Sequence, residues 1–140
     1  MKIKAKELVE AACRARLSAY APYSSFSVGA AILCSDGKIY EGCNIENSSF
    51  TPTCCAERVA IFKAISEGRR DFIAVAVVGG KIGAEEWEFC YPCGVCRQVL
   101  AEFCEPEMPV LLGSSNGEVL TTSVGELLPY TFKLKVEEND

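Results

Sequence analysis

Nine consecutive residues, Phe72-Ile-Ala-Val-Ala-Val-Val-Gly-Gly80, carry no polar side chain. The run is far too short to span a bilayer. Its β-branched residues favour a strand over a helix. A strand with one wet face alternates apolar and polar residues, whereas an unbroken apolar run is covered on both faces. The stretch therefore predicts a central strand with helices packed above and below its sheet.

The rest of the chain supplies those layers. Leu8, Val9, Ala12 and Leu17 recur at helical spacing against Lys4, Lys6, Glu10 and Arg14, with Pro22 expected to end the helix. Residues 26–34 read as a buried strand, Asp36-Gly37 as a hairpin turn and 38–46 as the returning strand. After a loop at 47–53, helical periodicity returns through Val59, Ile61, Phe62 and Ile65 and stops at Gly68. A second helix of similar type covers 93–104. Two short strands lie within 108–122 about Asn116-Gly117, and 124–129 makes one helical turn. The expected fold is α/β: one domain over 1–140, three layers (α/β/α) with a mixed five-stranded sheet, and a frayed tail at 135–140.

Composition removes several classes of function. With 19 acidic and 14 basic residues the formal charge is −5. A polynucleotide is a poor partner for that surface, and Arg69-Arg70 is the longest basic run. The amphipathic N-terminus lacks the apolar core of a signal peptide, so a cytoplasmic protein with no membrane partner is expected. In a reducing compartment nine cysteines are not a disulfide framework. There is no histidine, so metal or proton-transfer chemistry must use other side chains.

Cys54-Cys55-Ala56-Glu57 and Pro92-Cys93-Gly94-Val95-Cys96 stand at the starts of two predicted helices. C-x-x-C spacing lets Cys93 and Cys96 reach one ion from one turn. Cys55 as third thiolate would leave one tetrahedral position open, as at catalytic zinc. Helix N-termini favour thiolate over thiol. The C-x-E and P-C-x-x-C combination matches the three-cysteine form of the zinc deaminase signature. Two alternatives stay open on spacing alone: Cys54 in place of Cys55, and a closed structural site that adds Cys90. Pro92 argues against the latter by keeping Cys90 extended, and a structural site has no use for Glu57. Three thiolates leave the zinc site with a net negative charge, which Arg58 is placed to offset. Cys13, Cys34, Cys43 and Cys104 are expected as core thiols.

The chain resembles the short, homotetrameric, zinc-dependent cytidine deaminases of pyrimidine salvage. The likeness runs from "AYAPYSSFSVGAAI" through "GCNIENSSF", "CAERVAIFKAISEG" and "PCGVCRQVL" to "ELLPYTF". It implies hydrolysis of cytidine and 2′-deoxycytidine to uridine and 2′-deoxyuridine plus ammonia. One Zn²⁺ per chain would sit on Cys55, Cys93 and Cys96. Glu57 would shuttle a proton from the attacking water to ring N3, making C4 electrophilic. Asn44 and Glu46 would hold the sugar, chiefly its 3′-hydroxyl. Phe26 would pack on the pyrimidine and the Ala56 N–H would hold its O2. Arg58 and Gln98 would support the thiolates. Phe50 and Phe132 would reach a neighbouring subunit's pocket, so that active sites are shared. Against a cytosine-bearing antibiotic as substrate stands Asn44-Ile45-Glu46-Asn47, which suits a plain ribose. The rival from another class is a non-catalytic zinc-stabilised binding module. Residues 81–91, with Trp87, receive no functional account from the sequence.

Overall fold

Residues 4–136 are described in this computed structural model. The elements are α1 (Ala5–Arg16), β1 (Phe26–Cys34), β2 (Ile39–Cys43), α2 (Ala56–Ser66), β3 (Phe72–Lys81), α3 (Gly94–Phe103), β4 (Pro109–Gly113), β5 (Val119–Ser123) and α4 (Val124–Leu127). The strands form one five-stranded sheet in the order β2-β1-β3-β4-β5. β1 pairs antiparallel with β2 and β3, β3 runs parallel to β4 with α3 as the crossover, and β5 returns antiparallel. The expected mixed sheet is present.

Strand alternation divides the core. Ala31 and Leu33 of β1, Ala74, Ala76 and Val78 of β3, and Leu111 of β4 meet Leu8, Ala11 and Ala12 of α1. On the opposite face Ile32, Val75, Val77, Val110 and Leu112 meet Ala60, Ile61 and Ala64 of α2 and Leu100 of α3. The run at 72–80 is thus covered on both faces. Each fully buried Val, Leu or Ile contributes about 1.5–3 kcal/mol over leaving it exposed.

Two glycines let the helices sit this close. A Cβ on Gly29 would stand 2.0 Å from the Ala12 carbonyl oxygen of α1. One on Gly42 would stand 2.5 Å from the Ala56 oxygen and the Ala60 nitrogen of α2. The second contact seats the first turn of α2 on the sheet.

Several expectations need correction. Leu17 is not on the apolar face of α1: it is the C-cap and 86% exposed. The helix ends well before Pro22, its last turn closed by Leu17, Ser18 and Ala19 N–H bonds three residues back. β2 ends at Cys43 instead of residue 46. The reason is Asn44, whose Oδ1 accepts the Val28 N–H and whose Nδ2 donates to the Phe26 carbonyl, both at 2.8 Å. A side chain occupies the β1 edge there, and the following backbone peels away to bridge Tyr20 and Cys54 through Ile45. Cys34 and Cys104 are buried thiols, and burial pushes Cys104 up to about 12. Cys13 and Cys43 are only half-buried. From residue 137 onward the expected frayed tail lies outside the described residues.

The segment after β3 has a structural role. Trp87 exchanges hydrogen bonds with Ser115, N–H to Oγ and carbonyl to N–H, each at 2.9 Å. Its ring lies over Gly80 and stacks with the Arg16 guanidinium, 4.9 Å from the ring centre. Phe89 and Cys90 then pack onto the α2/α3 side of the core. The segment thus carries the chain from the end of β3 to the start of α3. Among the described residues no helix is long and apolar enough to cross a membrane.

Candidate active site

Cys55 is the N-cap of α2 and Cys93 the N-cap of α3, both in extended conformation. Cys96 falls in the first turn of α3 and is fully buried. The three Sγ atoms lie within 4.8 Å of one another. Cys54 and Cys90 are not in that cluster. Cys54 is turned into a backbone bridge with Ile45. Cys90 sits against Gly79, where burial first, then the nearby Glu57 and Cys55 charges, push its thiol up to about 11. Both alternatives left open by the spacing therefore lose support.

The cluster fits zinc. Cys55 Sγ and Cys93 Sγ are 3.7 Å apart. A tetrahedron with Zn–S bonds of ~2.3 Å has an edge of ~3.8 Å. Arg58 Nη2 lies 3.3 Å from Cys55 Sγ and 3.4 Å from the Thr53 carbonyl oxygen. Its Nε is buried with no partner, a donor that a deprotonated thiol set would satisfy. Hydrogen bonds from Cys96 and then from Arg58 lower the Cys55 thiol to about 5 against the opposing effect of burial. Cys96, donating to Cys55 and buried, is held above the usual thiol range. The donors at Cys55 are those that stabilise a metal-bound thiolate.

Glu57 follows in the first turn of α2 and is 4% exposed. Burial raises its carboxyl above the ordinary range, with the Cys55 charge adding to the effect. A buried carboxyl of raised affinity for protons beside a metal site is suited to accepting and returning one. Ala56, between ligand and carboxylate, is fully buried, and its N–H heads the helix where no intrahelical carbonyl can accept it.

A second group lies around the start of β1. Asn44 is buried and tied to Phe26 and Val28. Glu46 Oε1 accepts the Tyr23 and Ser24 N–H groups at 2.9 and 3.1 Å, and Oε2 accepts the Ser24 hydroxyl. Asn44, Glu46 and Phe26 therefore share one scaffold, residues 23–28. Tyr23 and Ser24 lie within the run AYAPYSSFSVGAAI, where spacing alone gives them no role. Their signal was the run of hydroxyl residues just ahead of a strand, which offers donors to a nearby carboxylate. Phe26 is 40% exposed, Phe50 79% and Phe132 69%. Gln98 does not reach a thiolate: its Nε2 donates to the Phe132 carbonyl at 2.9 Å, because two residues past Cys96 it stands on a different side of α3, toward the C-terminal segment. Arg97, unnoticed in the sequence, ties α3 to the Pro92 carbonyl at 2.8 Å and the Leu127 carbonyl at 2.9 Å.

Comparison with known proteins agrees with this geometry. Residues 2–112 match the family described as the cytidine and deoxycytidylate deaminase zinc-binding region. The chain belongs to that family. It is 51% identical over 127 residues to a cytidine deaminase of Sporosarcina psychrophila, covering 91% of this chain and 90% of that one. It is 50% identical over 125 residues to one from Halalkalibacterium halodurans, covering 89% and 91%. The crystal structure of cytidine deaminase from Burkholderia pseudomallei superposes with a TM-score of 0.85 at 47% identity, over 93% of this chain and all of that one. The family is a zinc-binding one, and the clustered thiols of Cys55, Cys93 and Cys96 are the group that could hold the metal.

Proposed function

We propose that this chain is a cytoplasmic, single-domain enzyme that deaminates cytidine and 2′-deoxycytidine to uridine and 2′-deoxyuridine, releasing ammonia, and works as a homotetramer with shared active sites. One observation carries the chemistry: a buried carboxylate, Glu57, stands two residues from Cys55 in a three-thiol cluster of tetrahedral dimensions.

Zinc on these thiols supplies a Lewis acid that acidifies water. The chain's own residues do the rest. Glu57 takes a proton from the attacking water and delivers it to N3 of the pyrimidine, which draws electron density from C4 so that the water oxygen adds there. It then carries the remaining hydroxyl proton to the amine, which leaves as ammonia as the C4 carbonyl forms. Burial favours the protonated form of Glu57, the form that donates. Arg58 offsets the excess negative charge of three thiolates. The Ala56 N–H holds the base's O2, and Phe26 covers a ring face.

Sugar recognition falls to Asn44 and Glu46. Each spends most of its hydrogen-bonding capacity on the chain, which fixes it in place. Asn44 Nδ2 keeps one N–H and Glu46 keeps one acceptor position, enough for a single sugar hydroxyl that accepts from one and donates to the other. The exposed Phe50 and Phe132 are available to cover a neighbour's pocket. An acidic chain with no basic cluster has nothing to hold a substrate phosphate.

The deciding assay is direct. Zinc-loaded protein incubated with cytidine should lower the cytosine absorbance and release one ammonia per uridine formed. A zinc-loaded, folded protein that leaves cytidine and deoxycytidine unchanged overturns the reading in favour of a binding module.

A further inference from the structure

The carboxylate of Glu46 is held by the chain segment just before β1. A carboxylate offers about four acceptor positions. Oε1 takes the N–H groups of Tyr23 at 2.9 Å and Ser24 at 3.1 Å. Oε2 takes the Ser24 hydroxyl. One position remains, and it is on Oε2. The ionised carboxylate can only accept, so the Ser24 hydroxyl is the donor of that bond, while its Oγ accepts the Phe26 N–H at 3.0 Å. The backbone is bent to permit this. Ser25 sits in the left-handed region at φ 58, a conformation that costs a non-glycine residue energy. The bend lies between Ser24 and Phe26, the two residues joined by the Phe26 N–H to Ser24 Oγ bond.

We propose that Ser24 is a positioning residue for nucleoside recognition, its hydroxyl aiming Glu46 so that the free position on Oε2 receives the sugar 3′-hydroxyl. This rests on the reading that Glu46 binds the sugar. Through the Phe26 N–H the same hydroxyl also links the sugar-reading carboxylate to the residue that covers the base. The Ser24 hydroxyl is also the foremost cause holding the Glu46 carboxyl below the usual carboxylate range, which keeps it an anionic acceptor.

The test compares kcat/KM for 2′-deoxycytidine and 2′,3′-dideoxycytidine, which differ only in the 3′-hydroxyl, using zinc-loaded enzyme of verified metal content. In the parent enzyme the hydroxyl should confer a large preference. Ser24→Ala should shrink that preference by roughly tenfold, mainly through KM for 2′-deoxycytidine, with the dideoxy substrate, which feels only the lost bond to the Phe26 N–H, slowed much less. Ser24→Thr, which keeps the hydroxyl, should restore the preference. If Ser24→Ala fails to fold, Ser24→Cys, close in shape but a weak donor, is read by the same ratio. A parent preference that survives in Ser24→Ala, with both substrates slowed in parallel, overturns the role of Ser24 alone. A parent enzyme that does not distinguish the two nucleosides overturns the sugar reading of Glu46, and this inference with it.

Discussion

The Sγ atoms of Cys55 and Cys93 stand 3.7 Å apart although 38 residues separate them in sequence. Each is the N-cap of its own helix, and the two helices pack on the same face of the sheet. Two helix N-termini therefore converge on one point, and their unpaired N–H groups and dipoles favour negative sulfur there. The metal site is a consequence of the βα layering as much as of the cysteines.

Ligand identity follows from this placement. Purified protein should contain one zinc per chain. Cys55→Ala should lose metal and activity together, while Cys54→Ala and Cys90→Ala should retain full zinc. Metal analysis after desalting decides the matter. Stoichiometric zinc in Cys55→Ala would remove that residue from the ligand set.

Glu57→Gln should keep zinc and the fold but lose nearly all turnover. The amide preserves shape and cannot carry the proton. General acid-base help is worth ~10²–10⁴-fold, and one group serving several steps puts the loss at or beyond the upper end. Turnover above about a tenth of the parent's would mean that another group moves the proton.

The sequence made much of this legible, for identifiable reasons. The strands at 26–34 and 72–80 were clear because both faces of the sheet are covered, leaving little polar interruption beyond Ser27. Cys55, Glu57, Cys93 and Cys96 were legible because each pair lies within one helical turn. What stayed hidden depended on contacts between distant segments. Asn44 ends β2 by bonding β1 across 16 residues, and no local propensity encodes that. Gln98 and Phe132 meet across 34 residues, so the support for the thiolates that the family resemblance implied for Gln98 could not be checked from the sequence. The segment at 81–91 became intelligible only once Trp87 was seen against Gly80 and Arg16.

Arg58 should govern metal retention more than folding. Its guanidinium is the cation hydrogen-bonded to Cys55. Groups that orient and charge-balance metal ligands typically matter 10–100-fold in affinity. Arg58→Gln should therefore release zinc to a competing chelator at ~10–100-fold lower chelator concentration. Parental retention would leave the helix dipoles as the sole balance to the thiolates.

Gly42→Ala should weaken the protein by about 1–3 kcal/mol in urea unfolding. The added Cβ would meet backbone of α2 at 2.5 Å, and backbone cannot swing aside as a side chain can. Because Ala56 is one of the atoms met, the first turn of α2 must lift, so zinc retention should fall as well. Unaltered unfolding would show that the helix can shift on the sheet at little cost.

Sharing of active sites between subunits would be visible on mixing two impaired variants. Phe132 is 69% exposed although its carbonyl is anchored to α3 through Gln98, and Tyr130, Leu134 and Val136 beside it are exposed too. An apolar segment fixed in place yet uncovered is suited to burial against another copy of the chain. The open side of the zinc site needs water excluded around the reacting base, and a closed assembly gives every site the same neighbour to do so. Glu57→Gln and Phe132→Ala chains should each be weakly active alone. After subunit exchange under mild denaturant, about a quarter of sites should combine an intact Glu57 with an intact Phe132 from a neighbour, if mixing is random. Activity should then rise above both parents. A tetrameric mass with no rise after confirmed exchange would return Phe132 to its own subunit, and a monomeric mass for the active enzyme would overturn the assembly itself.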